Sequence, residues 1–205
     1  MTAEVLAQEQ QITLAIGSTP LDAEALQGTW TEEQYLKLTD SLRRLVEFTD
    51  GEIEVLPMPT DKHQVILLFL YDLLREYLRH IGGKVLVAPL RLRIREGKHR
   101  EPDILLVLDA HDSRRQNRFW LGADLVVEVV SPDNPERDTV TKRADYAEAG
   151  IPEYWIVNPE DETITVLTLA DDTYAEHGVF QRGEQATSVL LDGFSMSVDS
   201  VFDAE

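Results

Sequence analysis

The sequence predicts a mixed α/β fold: a mixed β-sheet core flanked by helices, with a hairpin before it and antiparallel strands after it. Three observations carry this. Leu125-Val126-Val127-Glu128-Val129-Val130 is apolar at every position but one, the pattern of a strand buried on both faces. Ile66, Phe69, Leu70, Leu73, Leu74 and Tyr77 recur at three and four, the stripe of an amphipathic helix. A helical stretch at 137–149 separates the strand at 124–130 from another at 152–157, which implies a βαβ crossover.

The elements follow in order. Residues 1–29 show no sustained periodicity and are broken by Gly17-Ser18-Thr19-Pro20, so they are expected to form a loosely held extension, with a single domain over 30–205. Thr31-Glu32-Glu33-Gln34 has the form of a capping box and starts a short helix through Leu38. Asp50-Gly51 is a hairpin turn signal between Leu45-Val46-Glu47-Phe48 and the alternating Glu52-Ile53-Glu54-Val55-Leu56. Asp61 heads the long helix, which Gly82-Gly83 closes. Residues 85–95 read as one strand and 96–100 as a turn; from Leu90 the strand alternates, with Arg91, Arg93 and Arg95 on one face. Residues 109–122 form a polar loop. After the crossover, strands are expected at 163–169, near 173–180 and near 186–191, with a closing Gly193-Phe194.

Composition narrows the function. The 205 residues suffice for one full core. There is no cysteine, which excludes disulfides, zinc-thiolate sites and a cysteine nucleophile, and fits a reducing cytoplasm. The first residues carry acids and no base, unlike a signal peptide, and the longest apolar run falls far short of a membrane span, so no membrane partner is expected. The net charge of −19 argues against a nucleic-acid coat, yet its distribution is uneven. Residues 1–29 hold four acids and no Lys or Arg, and 151–205 hold twelve acids and one base, which leaves 22 acids against 18 bases in 30–149.

That middle stretch holds the residues with chemistry. Pro102-Asp103 leads the apolar run Ile104-Leu105-Leu106-Val107-Leu108, and Glu128 lies inside the most apolar strand. Burying a charge is costly unless it is paired. If the two strands are neighbours, Asp103 and Glu128 converge. Oxygen-only ligands suit Mg²⁺ or Mn²⁺, and the Val129 carbonyl can add one more. Asp138, Lys142 and Tyr146 are spaced by four and share a helix face. Two readings stand for that spacing: an exposed Asp–Lys pair worth about 0.2–0.5 kcal/mol, or a lysine turned to the carboxylates. The arginine row likewise reads as a solvated sheet face or as an anion-facing surface.

Pro102-Asp103, Glu128 and a downstream lysine resemble the PD-(D/E)xK nuclease superfamily, with its restriction-endonuclease-like fold. There the lysine normally lies two residues after the second acid; here that position is Val130. The chain is more similar to the bacterial Uma-type branch, in which the lysine has moved to the following helix. Local matches run in order: Glu47-Phe48-Thr49-Asp50-Gly51-Glu52-Ile53, His63, Glu128-Val129-Val130-Ser131-Pro132, Asp138-x3-Lys142-x3-Tyr146, and Gly150-Ile151-Pro152-Glu153-Tyr154-Trp155-Ile156-Val157. Together they cover about residues 29–202.

The resemblance implies a Mg²⁺-dependent (or Mn²⁺-dependent) endonuclease acting on DNA, with Asp103, Glu128 and the Val129 carbonyl on the metal. Lys142 would be the base or an electrostatic stabiliser, Glu47 a further acid, and His63, Asp138 and Tyr146 supporting residues. From the residues alone, Glu47 equally reads as a surface charge and His63 as an ordinary helix N-terminal residue. Arg91, Arg93 and Arg95, or the Arg114–Arg118 loop, would hold the nucleic-acid backbone, and a homodimer is expected from the habit of restriction-like folds. The alternative is a non-catalytic DNA-binding or protein-interaction module on the same fold. A hydrolase using Asp103 and Glu128 as an acid/base pair would leave Lys142 idle.

Overall fold

The computed structural model describes residues 13–16, 19–22, 26–42 and 44–205, the first two segments as backbone only. The elements are β1 (Thr13–Ile16), β2 (Thr19–Asp22), α1 (Glu32–Thr39), β3 (Val46–Thr49), β4 (Glu52–Val55), α2 (Asp61–Ile81), β5 (Lys84–Val87), β6 (Leu92–Arg95) and β7 (Lys98–Arg100). There follow β8 (Ile104–Val107), β9 (Leu125–Val129), a π-helical turn (Arg137–Thr141) running into α3 (Lys142–Glu148), β10 (Glu153–Asn158), β11 (Thr163–Ala170), β12 (Thr173–Phe180), β13 (Gln185–Thr187), β14 (Ser195–Ser197) and α4 (Val198–Phe202).

The main sheet has six strands in the order β12-β11-β10-β9-β8-β5. β9 and β10 run parallel, joined by the expected crossover through α3, and the other pairs are antiparallel. A smaller antiparallel sheet, β4-β3-β7-β6, carries the Asp50-Gly51 hairpin. β8 and β9 are buried along their whole length, so they are the centre of the molecule. One face of the sheet takes Ile66, Leu70, Leu74 and Leu78 of α2 against Ile104, Leu106, Leu125, Val127 and Val129. The opposite face packs Leu105, Val107, Val126 and Val130 with Tyr146, Tyr154 and Leu92.

The helix signals are realised locally. Thr31 and Gln34 form both halves of the capping box of α1. Thr60 caps α2, and Gly82 ends it in the left-handed region at φ 84°, where glycine has no side-chain clash. Among the described residues no helix is long and apolar enough to cross a membrane.

Several boundaries differ from the sequence expectation. The strand expected over 85–95 is two strands, β5 in the large sheet and β6 in the small one. Pro89 sits at the break, and a proline cannot donate to a ladder. The expected turn at 96–100 narrows to Glu96-Gly97, because Lys98–Arg100 pairs with both β3 and β6. The segment 186–191 is a strand only at its start, and the chain closes on β14 and the short helix α4 rather than at Gly193-Phe194.

Within 1–29, residues 13–22 contain the antiparallel pair β1–β2. Gln27 is also attached: its Nε2 donates to the Ile53 carbonyl at 2.7 Å and its Oε1 accepts the Ile53 N–H at 2.8 Å. Residues 1–12, 17–18 and 23–25 of the expected loose extension lie outside the described residues.

Candidate active site

Register and pleat bring the two carboxylates together. β8 and β9 are antiparallel neighbours with Ile104 opposite Val127, so Asp103 precedes β8 at the level of Glu128. Alternation puts Glu128 on the same face as Val126 and Val130, away from α2 and toward α3. Asp103 is held from two sides: its Oδ2 accepts the Val129 N–H at 2.8 Å and lies 3.1 Å from Nε2 of His63. Its Oδ1 has no hydrogen-bond partner among the described residues. His63 reaches it from the first turn of α2.

Lys142 arrives from the other side. The π-helical turn ends with the Lys142 N–H bonded to the Arg137 carbonyl, an insertion of a kind often found at functional sites. The Lys142 ammonium lies 2.9 Å from Glu128 Oε2, 3.1 Å from Asp138 Oδ1 and 3.8 Å from Glu47 Oε1. Lys142 is 4% exposed and Glu128 2%. The exposed-pair reading of Asp138 and Lys142 is therefore excluded. Tyr146, also buried, donates its hydroxyl hydrogen to Glu128 Oε1. Tyr154 donates to the Asp138 carbonyl at 2.8 Å and so ties down the start of the π turn.

Burial opposes every charge in this cluster, and the balance differs by residue. For Lys142, burial favours the neutral amine, but Glu128, Glu47, Asp138 and Asp103 outweigh it and raise the pKa above the ordinary lysine range. Lys142 is thus a fixed ammonium. Burial raises the Glu128 carboxyl well above the usual range; Lys142 opposes this, while Asp103 and Asp138 add to it. Asp138 is raised by burial too, against the pull of Lys142. For His63, burial lowers the pKa, but the hydrogen bond and charge of Asp103 prevail and the net shift is upward.

These residues meet at a cleft of about 640 Å³ lined by His63, Asp103, Glu128, Val129, Asp138 and Lys142 among others. Glu47 stands behind Lys142, buried, and within 3.6 Å of both Arg100 and Arg137. The structure thus brings together seven of the sequence candidates: Asp103, Glu128, Lys142, Glu47, His63, Asp138 and Tyr146.

The arginine row is elsewhere. Arg91 pairs with Asp40 at 2.8 Å, Arg93 with Glu32 at 3.3 Å, and Arg95 with Asp50 at 2.6 Å and Glu148 at 2.8 Å. None of the three lines the cleft. In the 109–122 loop, Arg114 pairs with Asp112 and Asp124, Arg118 pairs with Asp40, and Arg115 lies over Trp120.

Sequence reasoning missed a second layer. Arg137 lines the cleft and pairs with Glu54 and Glu47. Arg100, 7% exposed, donates to Asp145 Oδ2 at 2.7 Å and to Thr49 Oγ1 at 2.9 Å, tying β3 and β7 to α3. Glu101 accepts the Val46 N–H at 3.0 Å, and burial pushes its carboxyl up to about 7. The available signal was the pair Arg100-Glu101 placed just ahead of Pro102-Asp103 and the wholly apolar strand that follows.

Among the described residues no group of three or more His, Asp or Glu side chains is arranged to hold a metal. The donors available for one are the carboxylates of Asp103 and Glu128 and the main chain of Val129. All are oxygens, the donor type that a hard divalent ion takes.

The family model Uma2, described as "Putative restriction endonuclease", matches residues 32–199. A crystal structure from Anabaena variabilis, described as "a putative nuclease", superposes with a TM-score of 0.70 at 20% identity, covering 85% of this chain and 98% of that one. No curated protein matches. The match over residues 32–199 and the shared fold lead to one conclusion: the chain belongs to the Uma2 family, and its fold is that of a restriction-endonuclease-like nuclease.

Proposed function

We propose that the cleft hydrolyses phosphodiester bonds in DNA with Mg²⁺ or Mn²⁺ held by Asp103, Glu128 and the Val129 carbonyl. One observation carries the reading: a buried ammonium, Lys142, lies 2.9 Å from Glu128 at a cleft that it shares with Asp103. A bound ion would polarise a phosphoryl oxygen and acidify a water. The chain's own residues supply the rest. His63 and the Val129 N–H fix one oxygen of Asp103 and leave the other for a ligand. Tyr146 and Lys142 each hold one oxygen of Glu128. Because Lys142 stays protonated, it has no lone pair to act as a base; its part is to stabilise negative charge that develops on the phosphate.

The test is plasmid cleavage with Mg²⁺, with Mn²⁺ and with chelator. Wild type is expected to cleave only with a divalent ion, and Asp103→Asn and Lys142→Ala each to lose at least about a hundredfold, the scale for removing one preorganised stabilising group. Equal rates in all three proteins overturn the proposal.

The paired arginines and the charge of −19 favour a second reading, a non-catalytic module on the same fold, since DNA affinity rests largely on phosphate neutralisation. Calorimetry separates the two. Binding of Mn²⁺ by wild type and not by Asp103→Asn supports the hydrolase; no binding by either supports the module.

A further inference from the structure

We infer that the proline-flanked Met58 at the lip of the cleft receives an unpaired nucleobase, so that the substrate strand enters single-stranded rather than as intact duplex. The inference rests on the phosphodiesterase reading and names its substrate class. Met58 is 72% exposed and lines the same cleft as Asp103, Glu128 and Lys142. Pro57 and Pro59 flank it, and their fixed φ angles hold the segment between β4 and α2 in one path. A lone exposed apolar side chain needs no explanation. This one is continuous with Val55, Leu56 and both prolines along the cleft wall. The cleft therefore pairs a charged floor with an apolar lip, which matches a nucleotide: an anionic phosphate joined to a flat, apolar base.

Electrostatics argues the same way. Duplex binding draws its affinity from many phosphate contacts. Here Arg91, Arg93 and Arg95 each already hold a carboxylate and lie off the cleft. Of the cations that do line it, Lys142 and Arg137 are paired, and Arg44 is not without a partner either. With so little free positive charge and a net of −19, contact with a base must contribute what phosphates cannot. A paired, stacked base hides its faces, and an apolar side chain such as Met enters a duplex only by unstacking a base step. An unpaired base lays a face on Met58 without that cost.

The experiment uses the full chain in chelator, so that nothing is cut. Fluorescence anisotropy compares a labelled single strand of about 12 nucleotides with its blunt duplex, a length within the range of single-strand sites. A 2-aminopurine copy of the strand reports base contact directly. The expected results are single-strand affinity at least about tenfold above duplex, a change in 2-aminopurine emission on binding, and loss of most of that preference in Met58→Gln. This variant keeps the side-chain length and adds no charge, and the exposed position leaves the melting temperature unchanged. Equal or tighter duplex binding, or a Met58→Gln protein that binds like wild type, overturns the inference. A wild type that shows no single-strand preference yet cleaves with metal removes the lip alone. A preference that survives in a protein cutting no substrate leaves the lip standing and removes the hydrolytic reading.

Discussion

The two faces of the central sheet are built from the same strands and differ in kind. Leu125, Val127 and Val129 point to α2 and meet only apolar side chains. Val126, Glu128 and Val130 point to α3, and the middle one meets an ammonium, a phenol and further carboxylates. The first face gains stability from burial. The second places titratable groups, nearly all buried, on the floor of the cleft, which returns little net stability even when every charge is paired. The contrast teaches where selection for stability stops. An apolar residue at position 128 would suit the strand better, so the charge there indicates chemistry.

Replacing Lys142 by Ala should break the contrast most severely. It leaves Glu128 and Asp138 buried without their cation, a loss of about 3–5 kcal/mol, measurable by chemical denaturation, together with the loss of cleavage. On the opposite face, Leu74→Ala should lose about 2–5 kcal/mol while activity per folded molecule stays at the wild-type level. A comparable loss of activity in Leu74→Ala would show that the two faces are not separable.

Tyr146→Phe removes the donor to Glu128 Oε1 and keeps the ring, so it should lose about 1–3 kcal/mol, the range for orphaning a buried partner, with a smaller loss of cleavage than Lys142→Ala. Double-mutant denaturation with Lys142→Met would show whether Tyr146 and Lys142 act through the same carboxylate.

The small sheet offers a buried polar group outside the cluster. His99, fully buried, faces Glu32 of α1 at 2.6 Å, with Arg93 of β6 and the preceding Arg91 nearby and the rings of Tyr35 and Phe119 against it. Burial lowers its pKa, and the arginines add to this against Glu32. The unfolded chain then binds more protons below about pH 6.5, so this histidine's contribution to stability is present above that value and falls as pH drops toward the folded pKa. His99→Gln should flatten that part of the pH–stability curve.

Arg95→Ala should have the smallest effect. Its pair with Asp50 is 38% and 59% exposed, so about 0–1 kcal/mol is at stake, and DNA cleavage should not change. A large drop in DNA affinity would return the arginine row to the substrate path.

Much of the fold was legible because local signals agreed with tertiary ones. The capping box of α1, the Gly82 stop of α2, the Asp50-Gly51 hairpin and the crossover through α3 all stand where spacing and turn chemistry put them. The break at Pro89 was visible as a residue but not as a change of sheet. Which ladder a strand joins depends on non-local pairing, and the alternation of 90–95 continued across the boundary. For the same reason β7 was hidden: three residues carry too little periodicity to announce a strand.

The candidate site divides in the same way. By itself the sequence determined that a carboxylate sits within the most apolar strand, that Pro102-Asp103 leads its partner, and that Lys142 follows on a helix. Those are statements about local pattern, and local pattern is written in order along the chain. Only the tertiary structure decided that Lys142 is buried between Glu128 and Asp138 rather than exposed, and that Glu47 and His63 join it from the hairpin and α2. It also decided that the arginine row is paired away from the cleft. Whether a charge faces water, a counter-ion or a ligand depends on which distant segment packs over it, and spacing along a single chain does not contain that.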